Sequence, residues 1–75
     1  MNIETVAYNL RFRIDSKEKL LASYIATRDS FPKENVPGKT ELDLYFRIVI
    51  TETKVNIEGL YSILQDVEQC IGVEE

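Results

Sequence analysis

The segment Glu41-Leu42-Asp43-Leu44-Tyr45-Phe46-Arg47-Ile48-Val49-Ile50-Thr51 dominates the fold prediction, because apolar side chains occupy every second position of it. The alternating apolar residues are Leu42, Leu44, Phe46, Ile48 and Ile50. A β-strand turns successive side chains to opposite faces, so these five would share one face of a sheet. The β-branched and aromatic content also favours a strand. The pattern predicts a strand over about residues 41–52, with Phe46 buried at its centre.

A second alternating segment lies near the N-terminus and predicts a strand over about residues 3–14. Its apolar residues are Val6, Tyr8, Leu10, Phe12 and Ile14. The pattern changes at Asp15, which fits a capping box with Glu18. The apolar residues that follow, at helical spacing, are Leu20, Leu21, Tyr24 and Ile25. They predict a helix over about residues 16–28. A strand over 20–28 is the alternative, although its apolar residues do not alternate.

Residues 29–40 are predicted to form a loop, because prolines and a glycine interrupt every regular pattern there. Pro37-Gly38 suits the centre of a type II turn. Phe31 is expected to pack against the core, since aromatic side chains supply much of the burial in small domains. Such a long loop would be either a binding element or mobile.

The last element is predicted to be a helix over about residues 57–71. Asn56 is a preferred N-cap, Val55 with Leu60 suits a hydrophobic staple, and Gly72 suits the position after the helix. One broad apolar face would contain Ile57, Leu60, Ile63, Leu64, Val67, Cys70 and Ile71. Cys70 is therefore expected to be a buried, inert thiol.

The resulting fold class is α+β, a single small β-α-β-α domain over residues 1–75 with two long strands packed against two helices. A strand of twelve residues spans about 40 Å, whereas a fifteen-residue helix spans about 22 Å. Two such helices cannot cover both strands, and the open sheet edges need a partner. We therefore expect a homodimer that completes a larger sheet. A monomer with shorter, bent strands is the alternative.

Composition excludes several classes of function. With no histidine and one cysteine, the sequence predicts neither a metal site nor an internal disulfide, and it indicates no cofactor. No apolar run is long enough to span a membrane and no signal peptide is evident, so a cytoplasmic location is the default expectation. The net charge of −4 is concentrated after residue 51, where the sequence contains six acidic residues and one lysine. This acidity argues against binding nucleic acid over the whole surface.

Catalytic residues are not indicated by any motif. The close carboxylate pairs Asp15/Glu18 and Glu41/Asp43 are explained by capping and by a solvated sheet end. Pro37-Gly38-Lys39-Thr40 resembles the end of a phosphate-binding loop, but that motif needs glycine where Lys33 stands and a helix, not a strand, afterwards. We therefore predict a protein that is not an enzyme.

One constellation remains as a candidate binding face, on the polar side of the predicted sheet. It consists of Arg11, Arg13, Tyr45, Arg47 and Val49. The predicted function is a small interaction or regulatory module that docks on a protein partner, such as an accessory or inhibitor protein of a phage or mobile element. A single-stranded nucleic-acid binder that uses the arginines and the tyrosine is the alternative.

Overall fold

The protein is a hairpin of two α-helices. The computed structural model describes residues 2–31 and 37–74, with side chains as far as Gly72. Helix α1 spans Ile3–Ser30 and helix α2 spans Lys39–Glu74, 28 and 36 residues. No β-strand is present in the described ranges. The α+β prediction is therefore wrong, and so are both strands, over 3–14 and 41–52, and the sheet that a second copy was to complete.

Helix α1 begins early because Asn2 caps it. The Asn2 side-chain oxygen accepts a hydrogen bond of 2.8 Å from the Thr5 backbone N–H and one of 2.9 Å from the Thr5 hydroxyl. Asparagine is a favoured N-cap residue, and Glu4 adds a negative charge at the positive end of the helix dipole. The predicted start at Asp15 is wrong, because Asp15 lies within α1 and pairs with Lys19 at 3.1 Å.

The two helices end and begin at residues with special backbone preferences. Phe31 is extended, with φ −76° and ψ 146°, as expected for a residue that precedes a proline. Gly38 has φ +82°, which suits the third position of a type II turn, and its carbonyl accepts the Leu42 N–H at 3.0 Å. The turn at Pro37-Gly38 is thus present. The predicted loop over 29–40 ends earlier and begins later, and residues 32–36 of it lie outside the described residues.

Helix α2 runs without interruption through the positions predicted to bound a shorter helix. Asn56 is not an N-cap and Gly72 does not follow the helix, because both lie inside α2. Val55 is exposed, so it does not form the predicted staple with Leu60. Glycine within a helix costs about 1 kcal/mol relative to alanine, a cost that tertiary packing of a long helix can offset.

The helices pack along one line of residues on each, spaced alternately by three and four positions. We call this the inner seam. In α1 it contains Ile3, Ala7, Leu10, Ile14, Lys17, Leu21 and Tyr24. In α2 it contains Phe46, Ile50, Thr53, Ile57, Leu60, Leu64, Val67 and Ile71. Every one of these residues is buried or half-buried. Such spacing is the repeat of a coiled coil, in which the seam of one helix faces that of its neighbour.

The alternating pattern led to a wrong strand prediction, because residues that alternate at every second position also include residues spaced by four, which is close to one helical turn. In α2, Leu42, Phe46 and Ile50 are spaced by four residues, and Phe46 and Ile50 face α1 and are 6% and 5% exposed, whereas Leu42 is 37% exposed. Leu44 and Ile48 form a second series two residues out of step. In a helix two residues correspond to about 200°, so this series falls on the opposite face. A helix with two apolar faces therefore shows the same alternation as a strand.

Candidate docking surfaces

Helix α2 carries a second apolar face, opposite the inner seam. Leu44, Ile48 and Val55 are 51%, 54% and 61% exposed, and their spacings of four and seven residues keep them in line. Thr51 and Gly59 fall on the same line, and a Cβ atom placed on Gly59 would meet nothing within 4 Å. We call these five residues the outer stripe. It offers a row of large apolar side chains next to an open notch.

An open groove of about 480 Å³ lies beside the inner seam. We call it the Phe12 groove. Its lining residues are Phe12, Arg13, Ser16, Lys17, Leu20, Asn56 and Leu60. Phe12 and Leu20 are exposed, whereas Leu60 is half-buried on the seam. The groove therefore combines apolar side chains from both helices with two basic ones.

The two cations of this groove have no ion pair among the residues that the structure describes. Lys17 occupies a position of the inner seam and is half-buried, so its aliphatic stem packs between the helices. Arg13, one turn before it, is exposed. A positive potential without an internal counterion thus accompanies the apolar lining.

The other side of the hairpin is closed by polar contacts between the helices. The Arg11 guanidinium lies 3.6 Å from the Glu68 carboxylate, and the Tyr61 hydroxyl donates a hydrogen bond of 2.7 Å to Glu18. This hydrogen bond, with smaller contributions from burial and from the Glu18 charge, raises the pKa of Tyr61 above its ordinary value. These contacts join the two helices on that side.

The residues of the predicted binding face do not share a surface. Arg11 pairs with Glu68, whereas Arg13 lines the Phe12 groove. Tyr45 and Val49 lie one turn apart on α2, where Tyr45 is exposed and Val49 is half-buried. Arg47 lines a different hollow, together with Arg28, Asp43 and Lys54. Because Arg28 is seventeen residues from Arg11 in α1, Arg47 lies roughly 25 Å along the hairpin from the other two arginines.

Other residues with possible chemistry are also placed differently from the prediction. Cys70 is exposed, not buried, because Val67 and Ile71 occupy the seam and the three positions between them, Cys70 included, are exposed. Glu41 and Asp43 lie on a helix, where a separation of two residues turns them about 200° apart. Within residues 2–31 and 37–74, no group of three or more His, Cys, Asp and Glu could hold a metal ion. Neither described helix is long and apolar enough to cross a membrane.

The segment that resembles a phosphate-binding loop is followed by a helix, not by the predicted strand. Helix α2 begins at Lys39, directly after Gly38. The sequence mismatch remains, because Lys33 occupies a position where the motif requires glycine. The change of secondary structure therefore leaves the motif incomplete.

The chain as a whole exposes more surface than a compact protein of its size. Its accessible area is 5927 Å², whereas a compact 8.7 kDa monomer exposes roughly 4,700 Å². The excess is about 1,200 Å², and large apolar residues contribute to it. Those that are more than a third exposed are Tyr8, Phe12, Leu20, Phe31, Leu42, Leu44, Tyr45, Ile48, Val55, Tyr61 and Ile63. The elongated shape accounts for excess surface of this kind, and the exposed apolar residues that lie in line on one face are the ones that suit contact with another molecule.

Comparison with protein-family models, with curated protein sequences and with solved structures finds no match to this chain. The outer stripe and the Phe12 groove are therefore the features of the hairpin that indicate a function.

Proposed function

We propose that the protein is a small, non-catalytic interaction module that docks on a protein partner through the Phe12 groove. The observation that carries the proposal is the combination of an apolar lining with the cations Arg13 and Lys17, which have no ion pair among the described residues. An accessory or inhibitor role would use such a surface to cover part of a larger protein.

The groove's chemistry defines the partner segment. A helix that fits between two helices presents apolar side chains at spacings of three and four residues. Carboxylates that flank those side chains would reach Arg13 and Lys17 and form charge-assisted hydrogen bonds. We therefore expect an acidic amphipathic helix in the partner, held by apolar contacts with Phe12 and Leu20 and selected by charge.

The test uses two fluorescent amphipathic peptides with the same leucine positions. One carries glutamate and the other carries lysine at all remaining charged positions. The acidic peptide should bind the wild-type protein with a micromolar dissociation constant, weakening as salt rises, and the basic peptide should not bind. Fluorescence anisotropy at several salt concentrations measures both. Equal affinity for the two peptides, or no binding of the acidic one, would reject the proposed partner chemistry.

Matched variants locate the binding to the groove. Arg13→Gln with Lys17→Gln should weaken binding of the acidic peptide about tenfold or more. Lys19→Gln with Lys54→Gln removes the same charge from other surfaces and should change the affinity less than twofold. Phe12→Ala removes one wall of the groove at a position that is already exposed. Circular dichroism of each variant checks that the helices remain.

The nucleic-acid alternative has no observation in its favour. It needs Arg11, Arg13 and Arg47 beside an aromatic on one continuous surface, and the hairpin separates them. Arg11 is also already paired with Glu68.

A further inference from the structure

The outer stripe is a surface distinct from the Phe12 groove, and it has the symmetry to bind itself. We infer that two copies of the chain associate through α2, packed antiparallel along this stripe with a two-fold axis between residues 51 and 52, so that two hairpins form a four-helix assembly. The self-complementary spacing of the stripe and the charges beside it support this occupant over an unrelated protein.

The spacing of the stripe is self-complementary. In antiparallel packing about an axis between residues 51 and 52, residues equally far from the axis face each other. Ile48 then faces Val55 of the second copy, and Leu44 faces Gly59 of the second copy. The large leucine side chain meets the open space at Gly59, where a Cβ atom would contact no atom beyond the local helix. The same axis therefore places both large residues, Leu44 and Ile48, opposite an open or an apolar position of the second copy.

Charges beside the stripe are complementary under the same axis. Arg47 and Glu58 are eleven residues apart, about three turns, so they lie within about 20° of each other on one flank of α2. Their midpoint is within one residue of the axis, which brings Arg47 next to Glu58 of the second copy. Neither residue has an ion pair in the described hairpin. Arg47 shares its hollow with Arg28, Lys54 and Asp43, so three cationic side chains accompany one carboxylate, and an incoming carboxylate would offset part of the remaining positive charge.

A standard stable interface buries about 800 Å² of each partner, and obligate homodimers bury more. An interface of that size must include the flank of α2 that carries Arg47 and Glu58 as well as the outer stripe, of which Leu44, Ile48 and Val55 are more than half exposed. One unfavourable contact is expected, because Glu52 of each copy lies close to the axis. Glu52→Gln should therefore lower the dimer dissociation constant.

The first test is the mass in solution and its response to substitution. Light scattering at micromolar concentration should return twice the 8.7 kDa chain mass for the wild type. Ile48→Lys should raise the dissociation constant about a hundredfold or more, because the two-fold axis repeats each buried ammonium in both copies. Gln65→Lys adds the same charge at an exposed position away from the stripe and should leave the dimer intact. A wild type that stays at the chain mass throughout would overturn the inference.

The second test reports geometry and does not depend on a variant that weakens the assembly. In a Cys70→Ser background, Thr51→Cys places one thiol per chain beside the axis. A short bifunctional maleimide should join these chains into a species of twice the chain mass, whereas Gln65→Cys should give little. Arg47→Glu and Glu58→Arg should each weaken the dimer. The double variant, in which the two charges are exchanged, should restore it. Cross-linking at residue 65 but not at residue 51 would place any dimer on another face and reject the stripe.

Discussion

The two halves of the hairpin differ in how many large apolar side chains they leave exposed. In the half that contains the start of α1 and the end of α2, which we call the open-end half, Ala7 and Ile14 of α1 meet Leu64 of α2 in a buried cluster, and Arg11 pairs with Glu68 on one side. In the other half, next to the loop and called the loop-end half, the buried residues among those described come from α2, and the α1 residues that face them are half-buried. Those buried residues are Phe46, Ile50, Thr53 and Ile57. Both halves have a buried seam, but large apolar residues that are more than a third exposed are more numerous in the loop-end half, where Leu42, Leu44, Ile48 and Val55 are among them. The loop-end half therefore retains more apolar surface for contact with other molecules.

Phe46→Ala is the largest expected perturbation, because Phe46 is the main apolar anchor of the loop-end half. Its ring centroid lies 5.7 Å from that of Phe31 and 5.3 Å from that of Tyr45, and it is 6% exposed. We expect a loss of about 3–5 kcal/mol in the free energy of unfolding, enough to unfold most of a marginally stable chain. Urea titration followed by circular dichroism measures it. Tyr45→Ala, next to it and exposed, should cost about 1 kcal/mol or less.

Leu64→Ala, compared with the same change at its sequence neighbour Ile63, tests the packing of the open-end half. Leu64 is 6% exposed within the buried cluster, whereas Ile63 is 52% exposed. Leu64→Ala should destabilise the hairpin by about 2–5 kcal/mol, and Ile63→Ala by about 0.5 kcal/mol or less. Comparable losses at both positions would mean that the outer surface of this half is covered and that the contrast between the halves is wrong.

Thr53→Val changes the one buried polar side chain in the described residues. The Thr53 hydroxyl donates a hydrogen bond of 2.6 Å to the Val49 carbonyl one turn earlier, between the apolar seam residues Ile50 and Ile57. That carbonyl already serves the helix, so valine should be neutral or should stabilise the fold by up to about 1 kcal/mol. Thr53→Ser, which keeps the hydroxyl and loses the methyl group, should be destabilising. A large loss in the valine variant would instead show that the hydroxyl has a required partner.

Tyr61→Phe is the smallest expected perturbation, and its effect should depend on pH. The hydrogen bond to Glu18 raises the pKa of Tyr61 in the folded state above the unfolded value. The stabilisation is therefore fully present below the unfolded pKa and is lost as pH rises through the folded pKa. Melting temperatures of the wild type and the variant should differ at neutral pH and should converge in strongly alkaline solution. A difference that stays constant up to that range would show that the hydrogen bond does not form.

Local features of this sequence predicted the burial of single residues and the place of the turn better than they predicted secondary structure. Phe46 was correctly expected to be buried, and Pro37-Gly38 to form a turn, because size and backbone preference act locally. The strands were wrong because a few alternating residues cannot distinguish a sheet face from a helix with two apolar faces. The seven-residue repeat from Phe46 to Ile71 does distinguish them, since no strand of that length is ordinary.

The same ambiguity hid the candidate surfaces. Ile48 and Val55 are ordinary core residue types, and only their phase relative to the seam places them outside. The Phe12 groove joins residues more than thirty positions apart, so it required the register of the two helices. Asn2 was a signal present in the sequence from the start, because an asparagine three residues before Thr5 is a favourable cap.

The elongation of the hairpin has a practical hydrodynamic consequence. The chain measures 59 × 16 × 14 Å and has a radius of gyration of 17.3 Å, whereas a compact chain of its length has about 11 Å. A compact protein would need roughly 230 residues to reach the same radius. A single hairpin should therefore elute early from a size-exclusion column, and calibration with globular standards would give it the apparent mass of an oligomer. Its tumbling in solution should also be anisotropic, so that amide relaxation rates depend on the angle between each N–H bond and the long axis.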